Sequence, residues 1–165
     1  MPGRTSTNIA AQTTLSLARD CENIVAVKEA SGNLSQIMEI LREHPDGFAV
    51  MSGDDAVTLP LIALGAEGIV SVASNEIPDL MSKMTNLVLD GNGDEARELH
   101  YRLLPLMDVN FIESSPGPVK AAMAMMGLLE ENFRLPLVPI TEKSRARVRE
   151  VITELGVLES VHVTA

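Results

Sequence analysis

The chain has 165 residues, 45% of them hydrophobic, with 13 Lys+Arg against 23 Asp+Glu and a formal net charge of -10 at pH 7. That length and apolar content suit one domain of ordinary size and exclude an intrinsically disordered chain. The acidic excess argues against nucleic acid or an anionic membrane as partner. The lone Cys21 rules out an internal disulfide and fits a reducing, cytoplasmic setting.

In chain order, the opening MPGRTSTN holds no hydrophobic segment, so no secretory signal is expected. Thr7–Arg19 carries a weak helical pattern. Ile24–Val27 is a short apolar run that reads as a buried strand, bounded by Lys28 and Glu29. Leu34, Ile37, Met38, Ile40 and Leu41 follow at helical spacing, with Asn33 as a candidate N-cap. Pro45-Asp46-Gly47 signals a turn into a second strand, Phe48–Met51. Helical spacing resumes through Val57, Leu61, Ile62 and Leu64. A third strand is expected at Ile69–Val72, then a helix from about Pro78 to Leu89.

After Gly91-Asn92-Gly93 the alternation stops. Asp94–Val109, Pro118–Leu129 and Thr141–Leu155 all read as helices, with Thr141 as a cap. The longest apolar run, Ala121–Leu129, is far short of the roughly 18–20 residues that span a bilayer. The pattern predicts an α/β fold. Residues 1–90 would hold parallel β/α units, with helices on both faces or in an outer ring, and residues 91–165 an all-helical domain.

Lys28 is the sharpest chemical feature. It ends an apolar strand, and in parallel β/α folds that end is where ligands bind. Burial disfavours a charged amine, and a neutral amine can attack a ketone to form a Schiff base. The bland alternatives are a strand-end lysine reaching solvent or pairing with Glu29. Ser31-Gly32-Asn33, Ser52-Gly53-Asp54-Asp55 and Ser71–Asn75 each follow a strand, where small polar residues leave room for a ligand but also make good caps.

Asp54-Asp55 reads as a helix start rather than a metal pair. His44, His100 and His162 are dispersed without ligand spacing and read as surface residues, so no metal and no cofactor are expected. Gly91-Asn92-Gly93 joins two helices and lacks a third glycine, so it reads as a turn rather than a nucleotide loop. The nine methionines read as core filler, and Cys21 as structural.

PGRT, NIVAVKEASGNLSQI and SGDDAVTLPLIALGAEGIVSVASN together closely resemble the dihydrodipicolinate synthase / N-acetylneuraminate lyase family. The likeness continues through EARELHYRLLPL, ESSPGPVKAAM, FRLPLVPIT and ELGVL. What it implies is the C-terminal portion of a (β/α)8 TIM barrel, its last three β/α units, followed by a C-terminal helical domain. It implies a small-molecule enzyme, a Schiff-base lyase or synthase, assembled as a homo-oligomer. By the same resemblance Lys28 forms the imine with pyruvate, and Arg4 binds the carboxylate of the aldehyde. Gly53 and the backbone of Val70 line the pyruvate pocket.

Arg4 tilts this reading towards 4-hydroxy-tetrahydrodipicolinate synthase, which condenses pyruvate with aspartate semialdehyde in lysine (diaminopimelate) biosynthesis. N-acetylneuraminate lyase or a sugar-acid aldolase is the alternative. The family's relay tyrosine before PGR and its Gly-Thr-Thr-Gly-Glu type loop are not found in these residues. Ser115 stands where asparagine is common, and nothing in the sequence explains it. A barrel closes with eight strands, and three leave open edges. The isolated chain is therefore expected to have little or no activity. A truncated, non-catalytic half-barrel that self-associates is the reading from a different class.

Overall fold

In the computed structural model, described over residues 2–158, strands and helices alternate before the chain turns wholly helical. The order is α1 (Pro2–Thr5), α2 (Ala11–Asp20), β1 (Ala26–Glu29), α3 (Leu34–Glu43), β2 (Ala49–Ser52), α4 (Thr58–Ala63) and β3 (Gly68–Ile69). Then come α5 (Pro78–Leu89), α6 (Gly93–Val109), α7 (Gly117–Met125) and α8 (Glu142–Glu154). Short 3-10 turns fall at Asp55–Val57 and Ala73–Asn75. The three strands form one parallel sheet ordered β1-β2-β3, as the α/β reading requires. The expected His162 lies outside the described residues.

The described residues divide into two compact units. One holds the chain up to Ser71 together with Thr85–Ala96; the other holds Val72–Met84 and the chain from Arg97 onward. No helix among the described residues is long and apolar enough to cross a membrane.

In the first unit, strand alternation sends Val27, Glu29, Val50 and Ser52 to one face of the sheet. The apolar members join the core: Ile40, Phe48, Val50 and Ala11 are buried together, with Val27, Ile24 and Leu41 packed against them. A second cluster joins Ile37 of α3 to Leu61, Ile62 and Ala66, with Val88 against it. The opposite face carries Ala26 and Lys28, both exposed, and the half-buried Ala49 and Met51. Of the two expected arrangements, helices on both faces or in an outer ring, one buried face and one that leaves β1 open agree with the second.

Helix boundaries follow their caps. The Asn33 side chain accepts from the Gln36 amide at 3.2 Å and starts α3. Asp54 accepts from the Ala56 amide at 3.0 Å, so the acidic pair does open a helical segment. Gly91 has φ +80°, and the Asn92 amide returns to the Leu87 carbonyl at 2.8 Å, which closes α5 as a turn. Gly127 ends α7 the same way with φ +74° and a Leu128-to-Met123 bond of 2.9 Å. That is why α7 stops at Met125 rather than running on to Leu129.

All three strands differ from expectation, β2 only by a one-residue shift to Ala49–Ser52. β1 begins at Ala26, because the Ile24 amide is taken by the Cys21 carbonyl at 2.9 Å, and it extends through Lys28 and Glu29. β3 covers only Gly68–Ile69, since the chain coils into the 3-10 turn at Ala73–Asn75.

In the second unit, α7 packs on α8, and Val148, Val151 and Ile152 of α8 are buried with Val119, Ala121 and Ala122 of α7. Thr141 caps α8 and also donates its hydroxyl to the Glu113 carboxylate at 2.6 Å, while the Thr141 amide donates to the same oxygen at 3.0 Å. Hydrogen bonds from the Ser144 and Thr141 side chains hold the Glu113 carboxyl below its ordinary pKa. Arg145 of α8 forms an ion pair with Glu131.

His100, expected at the surface, is instead buried on α6, 8% exposed, with its ring edge-on to Tyr101 and centroids 5.4 Å apart. The helical period turns it to the buried side of α6, on the face that carries Leu103. Burial pushes its pKa below the ordinary histidine value, opposed in part by the charge of Asp108. The unfolded chain therefore takes up this proton at a higher pH than the folded chain does. Stability falls as pH drops through the unfolded value near 6.5. Between about pH 7.5 and 5.5, the loss of urea midpoint should be smaller in His100→Gln than in the parent. Equal losses would show that His100 does not contribute.

Candidate active site

The site is built on the C-terminal ends of β1 and β2. Lys28 pairs in register with Met51, and Glu29 with Ser52. Alternation therefore puts Lys28 and Glu29 on opposite faces. Lys28 is exposed on the open face and forms no ion pair among the described residues. Glu29 is 5% exposed on the other face. The suggested pairing of these neighbours is ruled out by the strand itself.

Gly53 stands directly beside Lys28. A Cβ on Gly53 would lie 2.8 Å from Lys28 Cε, 2.7 Å from Ala30 Cβ and 3.0 Å from the Glu29 carbonyl oxygen. Only a residue without a side chain lets the lysine stem cross this point. The Gly53 amide donates to the Glu29 carbonyl at 2.7 Å and ties the two strand ends together. Val70 extends the line: its amide donates to the Ser52 carbonyl at 2.8 Å, and its side chain is 46% exposed. Two residues beyond Gly68, it continues the face that carries Met51 and Lys28.

Behind the ladder, Ser52 and Thr58 are fully buried, and the Thr58 and Ser52 hydroxyls each donate to the Asp54 carbonyl at 2.8 Å. These bonds shape the Ser52-Gly53-Asp54 turn that presents Gly53. Among the described residues no cluster of three or more metal-ligating side chains occurs. Arg4 is exposed on α1.

The structure thus brings Lys28, Gly53 and Val70 to one sheet face and places Arg4 on a separate segment. Sequence reading missed Glu29 and Gln36. Glu29 accepts from the Ser31 amide at 2.7 Å and from Gln36 Nε2 at 3.0 Å. The signal was available: a carboxylate one residue after an exposed strand lysine must face the core, where it needs donors.

The sequence profile of the Dihydrodipicolinate synthetase family matches residues 1–155. The chain belongs to this family. Among curated members, the 4-hydroxy-tetrahydrodipicolinate synthase of Koribacter versatilis is 52% identical over 99% of the chain and 54% of its own length. That of Chlorobium phaeobacteroides is 48% identical over 96% of the chain and 53% of its own length. The dihydrodipicolinate synthase structure from Aquifex aeolicus superposes with a TM-score of 0.92 at 43% identity, covering 95% of this chain and 54% of that one. The Thermotoga maritima structure gives 0.93 at 39% identity, covering 96% and 55%. A synthase described as a monomeric variant matches with a TM-score of 0.93 at 38% identity, covering 96% and 54%. The chain spans about half the length of the dihydrodipicolinate synthetase family members it matches.

Proposed function

We propose that these residues form the C-terminal, imine-forming portion of a pyruvate-dependent synthase of the 4-hydroxy-tetrahydrodipicolinate type. The observation that carries the reading is the exposed Lys28 at a parallel strand end, its stem laid over Gly53. Lys28 Nζ attacks the keto carbon of pyruvate, and loss of water gives the imine. The imine draws electrons from the methyl carbon, which loses a proton and becomes the nucleophile towards the aldehyde of aspartate semialdehyde. Gly53 and the Val70 backbone line the pyruvate side. Arg4 offers a planar fork to the carboxylate of the aldehyde substrate. No metal or cofactor takes part in these steps.

The three strands and the helices after them correspond, on this reading, to the last part of a (β/α)8 barrel and its helical domain, working in a cytoplasmic homo-oligomer. The 165 residues by themselves turn over little, because a positioned acid–base group contributes about 10²–10⁴-fold and the family's relay tyrosine is not among them.

Borohydride added with pyruvate tests the assignment. The expected result is a reduced pyruvate adduct, read by mass spectrometry on the peptide containing Lys28 and lost in Lys28→Ala. An adduct spread evenly over Lys83, Lys120 and Lys143 would sink it. Rapid turnover of aspartate semialdehyde by the chain alone would overturn the low-activity part.

A further inference from the structure

Glu29 is a buried carboxylate that touches no proposed substrate, yet its two oxygens and its carbonyl hold three separate segments. Oε1 accepts from the Ser31 amide at 2.7 Å, which fixes the loop leaving β1. Oε2 accepts from Gln36 Nε2 at 3.0 Å, which fixes that loop to the first turn of α3. The Glu29 carbonyl accepts from Gly53 at 2.7 Å, which fixes the strand end to the glycine under Lys28. Gln36 is held on its other side too, its Oε1 accepting from Asn8 Nδ2 at 2.7 Å. Asn8 lies four residues beyond Arg4. The bonds run in one direction, amide to amide to carboxylate, so each partner's identity is set by the next.

We propose that Glu29 and Gln36 are positioning residues for Lys28. They act through the backbone of β1 and the loop after it to aim the amine on the opposite face. This inference rests on the assignment of Lys28 as the imine-forming group. The physical reason is the chain's geometry: Lys28 and Glu29 share one peptide unit, so pinning Glu29 on the buried face fixes the direction in which Lys28 leaves the sheet. Small errors in aim are costly to a nucleophile, since rate depends steeply on reaching a near-attack geometry.

The direction of the bonds supplies a test that ordinary truncation would not. Gln36→Glu sets two carboxylates against each other. Glu29→Gln sets an amide donor against the Gln36 donor. The double exchange Glu29→Gln/Gln36→Glu restores every bond and reverses only the one between positions 29 and 36: the new amide donates to the new carboxylate, which still accepts from Asn8, and Ser31 still finds an acceptor.

Two readouts are taken on the full chain. The first is the rate of borohydride-trapped adduct at saturating pyruvate. The second is trace acetylation of Lys28 relative to Lys83, Lys120 and Lys143 across pH. Each single exchange is expected to slow trapping by at least about tenfold and to alter only the Lys28 acetylation profile. The double exchange should return both to within about threefold of the parent. Single exchanges without effect on Lys28, or no recovery in the double, would overturn the proposal. A parent chain that forms no pyruvate adduct would defeat the imine assignment instead, and the acetylation profile would still decide whether Glu29 and Gln36 aim Lys28.

Discussion

Gly53→Ala is expected to slow pyruvate trapping at Lys28 by about ten- to a hundredfold and to destabilise the chain by about 1–3 kcal/mol. The new methyl would stand 2.8 Å from Lys28 Cε and 2.7 Å from Ala30 Cβ, both closer than carbon atoms tolerate. The lysine stem can swing away, but in doing so it loses the direction that carries its amine over the open face. Ala30 and the Glu29 carbonyl belong to the β1 exit and must shift as a unit. The two effects can be separated. Adding Ala30→Gly removes one clash and should recover part of the unfolding midpoint while leaving trapping slow. Full recovery of trapping in the double variant would show that Gly53 serves backbone packing alone.

Ile40→Ala should cost about 2–5 kcal/mol, read as a fall in the urea midpoint with an unchanged slope. Ile40 of α3 is fully buried, in one cluster with Ala11 of α2, Phe48 and Val50. β-strand residues Val50 and Val27 rest on that cluster, and α3 packs on α2 beside it. Refilling the resulting void is hindered on the sheet side, because Val27 and Val50 are ladder residues held by backbone bonds. A loss below about 1 kcal/mol would mean that α3 relaxes towards the sheet. The sheet edge holding Lys28 would then be softer than its burial suggests.

Much of this was readable from spacing. Asn33, Asp54 and Thr141 announce helix starts by chemistry alone, because each offers an acceptor where helix amides lack partners, and each is seen accepting an amide. The α/β order followed from three apolar runs separated by helical spacing. The ends of those runs were less legible. Hydrophobicity stops at Val27, but the ladder continues through Lys28 and Glu29, since backbone pairing is indifferent to side-chain polarity. β3 shows the reverse: three of the four residues Ile69–Val72 are apolar, yet only Ile69 of them is in the ladder. His100 was misread because dispersed histidines carry no spacing signal, and only the helical phase of α6 reveals its inward aim. At the site, the motif located Lys28 and Gly53, while the Glu29–Gln36–Asn8 chain required coordinates, since its ends lie 21 residues apart in sequence (29 − 8 = 21).

The opposed faces of Lys28 and Glu29 have a wider consequence. Their two side chains are exchanged by a slip of one residue between β1 and β2. A slipped sheet would present a carboxylate to the ligand side and thrust an amine into the apolar layer. The chemistry of this surface is therefore a property of strand alignment as much as of composition. One residue inserted or deleted between Cys21 and Val25 threatens it more than most substitutions at the surface itself.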